Sequence, residues 1–383
     1  MTVATLNPSE RFRSLVAVIS AMCVTAALYA LSLPLFATRL DEMGESETVI
    51  GINAAAQAIA LLAVAPFAPR LLQKFGPAVV MLWMLAGTLV FVLLCPLYEN
   101  AWYWLVLRLL LGTTTSILWI AGEAWVNQVS DDAGRGRVLA IYGVAGAAGT
   151  MAGFAVIGYF GHTGWAPFLI AGGMVVASAL AILPAVGIAP PFAGSQSAPM
   201  AKLFFMAPTP LLINLLAAVT FGSLASFLSV YGTDIGMPRD DTFWLLVLLS
   251  AGGLMQYPIG WLADRMNRRV LALGLMVAMM MMLALMGPAL ADPFLRWPYA
   301  LFLGLGLMGL YTLGLTLLGA RFRDADLSAA TTLFQIMWNT GVVVGPFAVG
   351  IAMDQTGPSG LPWTIVGFYV LVATVILVRG RAK

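Results

Sequence analysis

Two charged residues, Arg108 and Glu123, interrupt one long apolar stretch at about residues 101–127. A charged side chain in hydrocarbon is costly and usually faces a cavity or a partner. Arg108 could bind an anionic or polar group through its planar set of donors, and Glu123 could take up and release a proton. On one helix their separation is about 22 Å, so the two side chains cannot pair with each other directly.

Both residues also have a structural interpretation. Arg108 could be a structural arginine, or one whose long side chain reaches from the apolar interior towards water. Glu123 could be an acid at the membrane surface that pairs with Arg135, Arg137 or another basic residue. The sequence leaves these alternatives open.

A second set of residues is polar but uncharged and lies within other apolar stretches: Asn53, Gln57, Asn214, Gln256, Gln335 and Asn339. Tyr29, Tyr311 and Trp338 add aromatic rings with a polar edge. At about 100° per residue, Thr115 and Trp119 share the helical face of Arg108. Such groups hydrogen-bond between helices in the membrane or line a wet cavity.

The composition predicts the elements that hold these residues. Hydrophobic residues make up 61% of the 383-residue chain, charged residues 9%, and the mean hydropathy is +0.94. A soluble domain is roughly half apolar and a quarter charged, so this chain is predicted to lie in a membrane. Its apolar stretches are continuous rather than alternating, which favours membrane-spanning helices of about 20 residues over strands.

We predict an all-α integral membrane protein with twelve transmembrane helices in two pseudo-symmetric six-helix bundles. The predicted spans are 14–36, 48–68, 78–97, 101–127, 137–160, 165–188, 209–233, 242–263, 270–290, 297–320, 327–353 and 362–380. Because the first span is too long for a signal peptide and has no cleavage-like end, we expect it to be retained.

The placement of basic residues supports this count. With a cytoplasmic N-terminus, 15 of the 19 basic residues fall on the cytoplasmic side, as the positive-inside rule requires. Only Arg39, Arg239 and Arg296 fall outside, and Arg108 lies within a span. We therefore expect both termini in the cytoplasm of a bacterium and the protein in its inner membrane.

A stretch rich in proline, glycine and serine, residues 189–199, separates the sixth and seventh spans. Its composition is that of a linker. The predicted organisation is an N-terminal bundle at 1–188, a cytoplasmic linker at 189–207 and a C-terminal bundle at 208–383.

The densest charge in the chain lies between the eighth and ninth spans. One acid and three arginines, Asp264, Arg265, Arg268 and Arg269, follow Gly260 within ten residues, and we predict a short surface loop here. A displacement of 191 residues, half the chain, places Gln73 on Asp264 and Gly76 on Asn267. The two copies predict a duplicated chain whose halves carry the same loop.

The pattern G-x-L-A-D-R-x-N-R-R that begins at Gly260 resembles the loop signature of the major facilitator superfamily. The stretch Arg108 to Gly112 is similar to the superfamily's fourth-span signature. Within the superfamily, the stretch Trp119 to Trp125 followed by Gly134-Arg135-Gly136-Arg137 is similar to the YcaD-like bacterial group. The resemblance covers essentially the whole chain.

The resemblance implies a secondary transporter that works by alternating access about a cavity at the membrane midplane. It also implies a conformational switch loop formed by Gly260, Asp264, Arg265, Arg268 and Arg269, with Asp264 against the start of the fifth span near Arg137. Gln73 departs from the signature, so a switch based on this carboxylate must rely on Asp264 alone.

On this interpretation the substrate cavity is lined by Arg108, Thr115, Trp119, Tyr29, Gln57, Tyr311, Gln335, Trp338 and Asn339, and Glu123 couples transport to protons. One cation among apolar and aromatic groups favours a small amphipathic or weakly anionic molecule. The alternatives are a facilitative uniporter and a lipid-handling flippase on the same fold.

The sequence predicts neither catalysis nor a bound cofactor. A membrane enzyme would need clustered His, Cys or paired carboxylates, and His162 is a lone loop histidine, so we expect no enzyme and no metal site. A Walker-type G-x-x-x-x-G-K-[ST] loop is missing from the sequence, so we expect no ATP and no other cofactor. The expected partners are the substrate, protons and the lipid bilayer, without nucleic acid, and the expected functional unit is a monomer.

Overall fold

The computed structural model describes residues 7–129, 135–188, 200–255, 257–322 and 324–381, and within these ranges the regular elements are helices. The α-helices are α1 (Pro8–Glu42), α2 (Glu47–Val64), α3 (Ala68–Phe75), α4 (Pro77–Leu94), α5 (Ala101–Val129), α6 (Arg135–Phe160), α7 (Ala166–Ile182), α8 (Met200–Met206), α9 (Pro208–Asp234), α10 (Arg239–Leu254), α11 (Tyr257–Arg265), α12 (Arg268–Ala284), α13 (Met286–Ala291), α14 (Arg296–Arg321), α15 (Asp324–Thr356) and α16 (Gly360–Arg381).

The all-α membrane fold predicted from the sequence is confirmed. Among the described residues, ten helical stretches are long and apolar enough to cross a membrane. One of them, 329–378, joins the predicted eleventh and twelfth spans, which are separated by a turn at Gly357–Ser359. The predicted ninth span falls on α12, which has 17 residues. The count of twelve crossings therefore stays a prediction at these two places.

The chain divides into two compact units. Unit 1 contains residues 1–35 and 56–195, and unit 2 contains residues 36–55 and 196–383. Residues 36–55 thus pack with the second half of the sequence, and the predicted bounds of the two bundles and the linker stay a prediction. These residues, which we call the 36–55 segment, comprise the end of α1, the connection that follows it and the start of α2.

In both units, helices approach each other closely at glycines, because a glycine has no side chain to hold the two backbones apart. In unit 1, a Cβ at Gly153 of α6 would collide with the backbone of α1 at Ala27. In unit 2, a Cβ at Gly345 of α15 would lie 2.7 Å from the carbonyl oxygen of Val219 on α9. Small residues at such crossings let membrane helices pack backbone to backbone.

The predicted linker is only partly described. Residues 189–199 lie outside the described residues, and α8 occupies most of what remains. Leu203 of α8 and the adjoining Ala207 are buried in an apolar cluster of unit 2 that includes Leu211, Leu318 and Phe334. The last part of the predicted linker is therefore packed as a helix against the second half of the chain.

Candidate functional site

Arg108 of α5 is completely buried in unit 1, with 0% of its surface exposed. Its Nη1 donates a 2.8 Å hydrogen bond to the backbone carbonyl of Ser32 on α1. A buried guanidinium is tolerated only where such acceptors replace water. Arg108 consequently joins α5 to α1, so it has a structural part in unit 1 whatever it binds.

Two other predicted site residues lie in the same polar network. The Ser32 hydroxyl donates to Oε1 of Gln57 at 3.1 Å, and the Gln57 amide nitrogen donates to the Thr115 hydroxyl at 3.3 Å. Thr115 in turn donates to the carbonyl of Leu111 at 2.7 Å. The network therefore connects three membrane helices, α1, α2 and α5, through buried side chains.

The network depends on the close approach of α2 and α5 at Gly112. A Cβ added at Gly112 would lie 2.8 Å from both Cα and the carbonyl oxygen of Gln57. Tyr29 of α1 is half-buried and interacts electrostatically with Arg108. Tyr29, Gln57, Arg108 and Thr115 thus lie together in one part of unit 1, and their role in lining a substrate cavity stays a prediction.

Glu123 lies further along α5 and has a different partner. Its Oε1 accepts a 2.8 Å hydrogen bond from the indole nitrogen of Trp119, and both side chains are partly buried. The hydroxyl of Tyr142 on α6 is buried nearby, since it would lie 3.2 Å from a Cβ on Gly122. Among the described residues this hydroxyl has no hydrogen-bond partner. The side chains of Arg135 and Arg137, the alternative partners of Glu123, lie outside the described residues.

Unit 2 holds an aromatic cluster that contains two predicted site residues. The ring of Tyr311 on α14 packs edge to face against Trp338 at 5.3 Å and against Phe334 at 5.4 Å, both on α15. The Trp338 ring also lies 5.8 Å from that of Phe221 on α9. Rings in such contacts form a rigid, mainly apolar surface with the Tyr hydroxyl and the Trp N–H at its edge.

Two polar residues of unit 2 donate hydrogen bonds to backbone carbonyls of α15. Asn339 donates to the carbonyl of Gln335 one turn earlier at 2.8 Å. Asn214 of α9 is fully buried and donates to the carbonyl of Phe334 at 2.5 Å. Its Oδ1 has no hydrogen-bond partner among the described residues. Gln256, another residue of the polar set, lies outside the described residues.

The predicted switch loop is shorter than expected, because helix α11 continues through Asp264 and Arg265. Only Met266 and Asn267 separate it from α12, and the Asn267 side chain caps α12 by accepting from the backbone N–H of Arg269 at 3.0 Å. Asparagine is a favourable cap because its side-chain oxygen satisfies the first free N–H groups of a helix. This cap allows a break of two residues where the sequence predicted a longer loop.

The charged side chains around this break have separate contacts. Arg268 lies 3.8 Å from the Asp264 carboxylate, which is 74% exposed, and donates to the Ala263 carbonyl. Arg269 donates to the carbonyl of Ile376 on α16. The Arg265 guanidinium stacks 3.9 Å from the Trp261 ring centroid. Gly260 has open space around its Cα.

The first copy of the loop has the same form. Helix α3 ends at Phe75, Gly76 interrupts the helical conformation, and α4 begins with Pro77. Gly76 has a φ of +80°, a conformation that favours glycine. The alignment of Gly76 with Asn267 therefore matches two short helix breaks, each followed directly by another helix.

The family of this protein is shown by a match to one family model. The model of the Major Facilitator Superfamily matches residues 14–312 and 211–383. The chain belongs to the Major Facilitator Superfamily. The resemblance inferred from the sequence motifs is thereby confirmed.

Relatives and solved structures agree with this assignment. The uncharacterized MFS-type transporter YcaD of Salmonella dublin is 24% identical over 291 residues, 74% of this chain and 73% of that protein. A similar uncharacterized transporter of Enterobacter is 24% identical over 282 residues, 72% and 70% of the two chains. The nucleoside transporter NupG has the same fold, with a TM-score of 0.79 at 14% identity over 98% of this chain and 100% of its own. A bacterial homologue of the lysosomal transporter Spinster gives 0.74 at 12% identity over 98% of both.

Some residues of these networks could not be found from the sequence. Ser32 contributes a backbone carbonyl to Arg108, and a backbone group carries no signal in the sequence. Phe334 and Phe221 appear as ordinary apolar residues until the packing shows their contacts with Tyr311 and Trp338. Tyr142 could have been found as a hydroxyl in a predicted span.

Proposed function

We propose that this superfamily member is a secondary transporter that moves a small amphipathic or weakly anionic molecule by alternating access. The observation that carries the proposal is the buried network of Arg108, Ser32, Gln57 and Thr115 on membrane helices of unit 1. Burying a cation among membrane helices is costly, and ionisable residues in that position usually mark a substrate or ion pathway.

The chemistry of the two groups of residues supports the substrate class. In unit 1, we propose that Arg108, Tyr29, Gln57, Thr115 and Trp119 bind the substrate, with Arg108 attracting a negative or strongly polar group. In unit 2, we propose binding by Tyr311, Gln335, Trp338 and Asn339. The aromatic cluster of unit 2 is suited to the apolar part of such a molecule.

We further propose that Glu123 carries the coupling proton. The Trp119 N–H holds one oxygen of its carboxyl group and orients it. A coupled carrier needs a group whose protonation differs between its two open states, and an oriented, half-buried carboxyl group can fill that role. The direction of net proton flow would then follow the pH gradient across the membrane.

The bacterial relatives imply an inner-membrane location. We propose cytoplasmic termini, because the basic residues are concentrated on that side under the predicted topology. We also propose that one chain is the functional unit, and that Asp264 and the arginines around it act as the conformational switch.

A ligand screen tests the substrate proposal. A specific ligand raises the melting temperature of the purified protein, and the rise grows with the logarithm of the ligand concentration above its Kd. We expect stabilisation by a weakly anionic amphipathic compound, and loss of that stabilisation in Arg108→Ala. Stabilisation only by phospholipids, with movement of labelled lipid between leaflets of reconstituted vesicles, would instead identify a flippase.

A further inference from the structure

The first turn of α2 is completed by a residue more than 300 positions away. The N–H groups of Glu47 and Thr48 donate to the two carboxylate oxygens of Asp354 on α15, at 2.8 and 2.9 Å. The Thr48 hydroxyl donates to the same carboxylate. Ser46 accepts from the next N–H through its hydroxyl, at 3.3 Å from Val49. The first free N–H groups of this helix are therefore satisfied by one local residue and one distant one.

The neighbouring backbone is shaped to allow this contact. A Cβ at Gly350 of α15 would collide with the backbone of Glu47, and a Cβ at Gly51 of α2 would lie 2.5 Å from the carbonyl oxygen of Pro346. The start of α2 and the end of α15 thus touch through backbone atoms over at least one helical turn. Asp354 stands at the end of this contact.

Further bonds tie the rest of the 36–55 segment to unit 2. Thr38 donates to the Ser229 hydroxyl of α9 at 2.9 Å, and both side chains are buried. Arg239 at the start of α10 forms ion pairs with Glu42 and, at 3.4 Å, with Asp41. These contacts explain why the 36–55 segment packs with unit 2 although α1 and α2 otherwise belong to unit 1.

We propose that Asp354 is a latch that holds the 36–55 segment in unit 2 and that opens once in each transport cycle. The latch rests on the proposed function, since a cycle of two open states requires contacts that form and break. In this proposal the Asp354 carboxylate holds the start of α2. The family resemblance implies a contact of the same kind between Asp264 and the start of the fifth span.

The strength of the contact suits this use. A carboxylate at a helix N-terminus gains from charge-assisted hydrogen bonds and from the helix dipole. The Asp354 side chain is exposed, however, so water can replace its partners when the segment moves. A contact of this kind holds one state without making it irreversible.

A cysteine reporter tests the latch without any substrate. In a background with Cys23→Ser and Cys95→Ser, Ser229→Cys places a thiol that is covered by Thr38. We expect a soluble maleimide to label it slowly in purified protein. Asp354→Asn should raise the labelling rate by about tenfold or more, since a hydrogen bond to a charged group is worth roughly that factor in population.

Two matched controls separate the latch from general effects of the substitution. Asp292 also accepts two backbone N–H bonds, from Phe294 and Leu295, which hold the pKa of its carboxyl group below the usual range. Because these bonds are local, Asp292→Asn should leave labelling of the Ser229→Cys thiol unchanged. Ser46→Ala removes the local cap of α2 and should also leave it unchanged, because Asp354 still holds the segment.

Thr48→Val keeps the proposal testable if Asp354→Asn does not fold. It preserves side-chain shape and removes one of the three bonds to Asp354, so labelling should rise by about two- to fivefold. The latch is wrong if labelling in Asp354→Asn, or in Thr48→Val where only that variant folds, stays within about twofold of the parent. An equal rise in Asp292→Asn or Ser46→Ala would also overturn it. Faster labelling in a protein that transports nothing would retain Asp354 as the residue that holds the 36–55 segment, and would remove both its opening in a transport cycle and the proposed function.

Discussion

The indole nitrogen of Trp119 donates a 2.8 Å hydrogen bond to the carboxylate of Glu123, one turn further along α5. The bond joins a proposed substrate-binding residue to the proposed proton carrier. It also uses the only polar atom of the Trp119 ring, so a substrate would meet Trp119 through the apolar face of that ring.

This pair predicts that Trp119 has two separable roles. Trp119→Phe keeps an aromatic ring but removes the donor that orients Glu123. We expect the ligand-induced rise in melting temperature to stay within about twofold of that of the parent. We also expect a clear loss of gradient-driven accumulation of the ligand, since a hydrogen bond to a charged group contributes about 1.5–3 kcal/mol. Thermal shifts with ligand and uptake into vesicles measure the two roles.

Trp125→Phe is the matched control for Trp119→Phe. Trp125 is on the same helix, and its indole nitrogen donates to the Ser14 hydroxyl at 2.7 Å. Loss of this hydrogen bond should lower the free energy of unfolding by about 1 kcal/mol and leave the coupling of transport to protons intact. Equal effects of both variants on coupling would remove the special role of Trp119.

Arg108 should be required for transport more than for folding. Arg108→Ala should abolish transport while folded protein is still recovered. Arg108→Lys should recover only part of the activity, because lysine keeps the charge but loses the planar set of donors. The measurements are uptake and the yield of monodisperse protein. If neither variant folds, the structural interpretation of Arg108 holds and its role in binding does not.

Gly112 should be intolerant of a methyl group. Gly112→Ala would push α5 from α2 at Gln57 and break the network that reaches Thr115. We expect a loss of about 1–3 kcal/mol in stability, as for other overpacked sites. Gly143→Ala is the control, since its Cβ would have no neighbour within 4 Å and alanine favours a helix by up to about 1 kcal/mol. Equal melting temperatures for the two variants would contradict the packing argument.

Asp264→Asn tests the switch around the α11–α12 break. We expect normal insertion in the membrane, slower transport and a changed balance between the two open states. Labelling of cavity cysteines by an impermeant reagent reports this balance. Gln73→Asp in the first copy should be tolerated, because that copy works without an acid. Unchanged transport and labelling in Asp264→Asn would remove it from the mechanism.

The helices could be predicted because each has to be apolar over its whole crossing. That requirement depends on the membrane and not on neighbouring helices, so the apolar stretch that contains Arg108 and Glu123 predicts α5 directly. The loop after Gly260 was predicted too long because charge marks the membrane surface, whereas a helix can continue through charged residues in water. Only the cap at Asn267 fixes where α12 starts.

The contacts of the site were less accessible to prediction. A helix that is apolar on all sides gives no signal for the face that it buries. The sequence therefore placed Gln57 and Thr115 in spans but could not show that they bond to each other. Asp354 directly follows the predicted eleventh span, and its partners could not be predicted because the start of α2 is 306 and 307 residues away.

Uptake by reconstituted vesicles tests the central claim of proton-coupled transport most directly. Vesicles would contain either the parent protein or Glu123→Gln, which mimics a permanently protonated carboxyl group, and would be supplied with the labelled ligand from the thermal screen. We predict that the parent accumulates the ligand against its concentration gradient only when a pH gradient is imposed. Glu123→Gln should exchange ligand but not accumulate it. Uphill transport retained in Glu123→Gln would contradict the role of Glu123, and no uptake by the parent above that of protein-free vesicles would contradict transport itself.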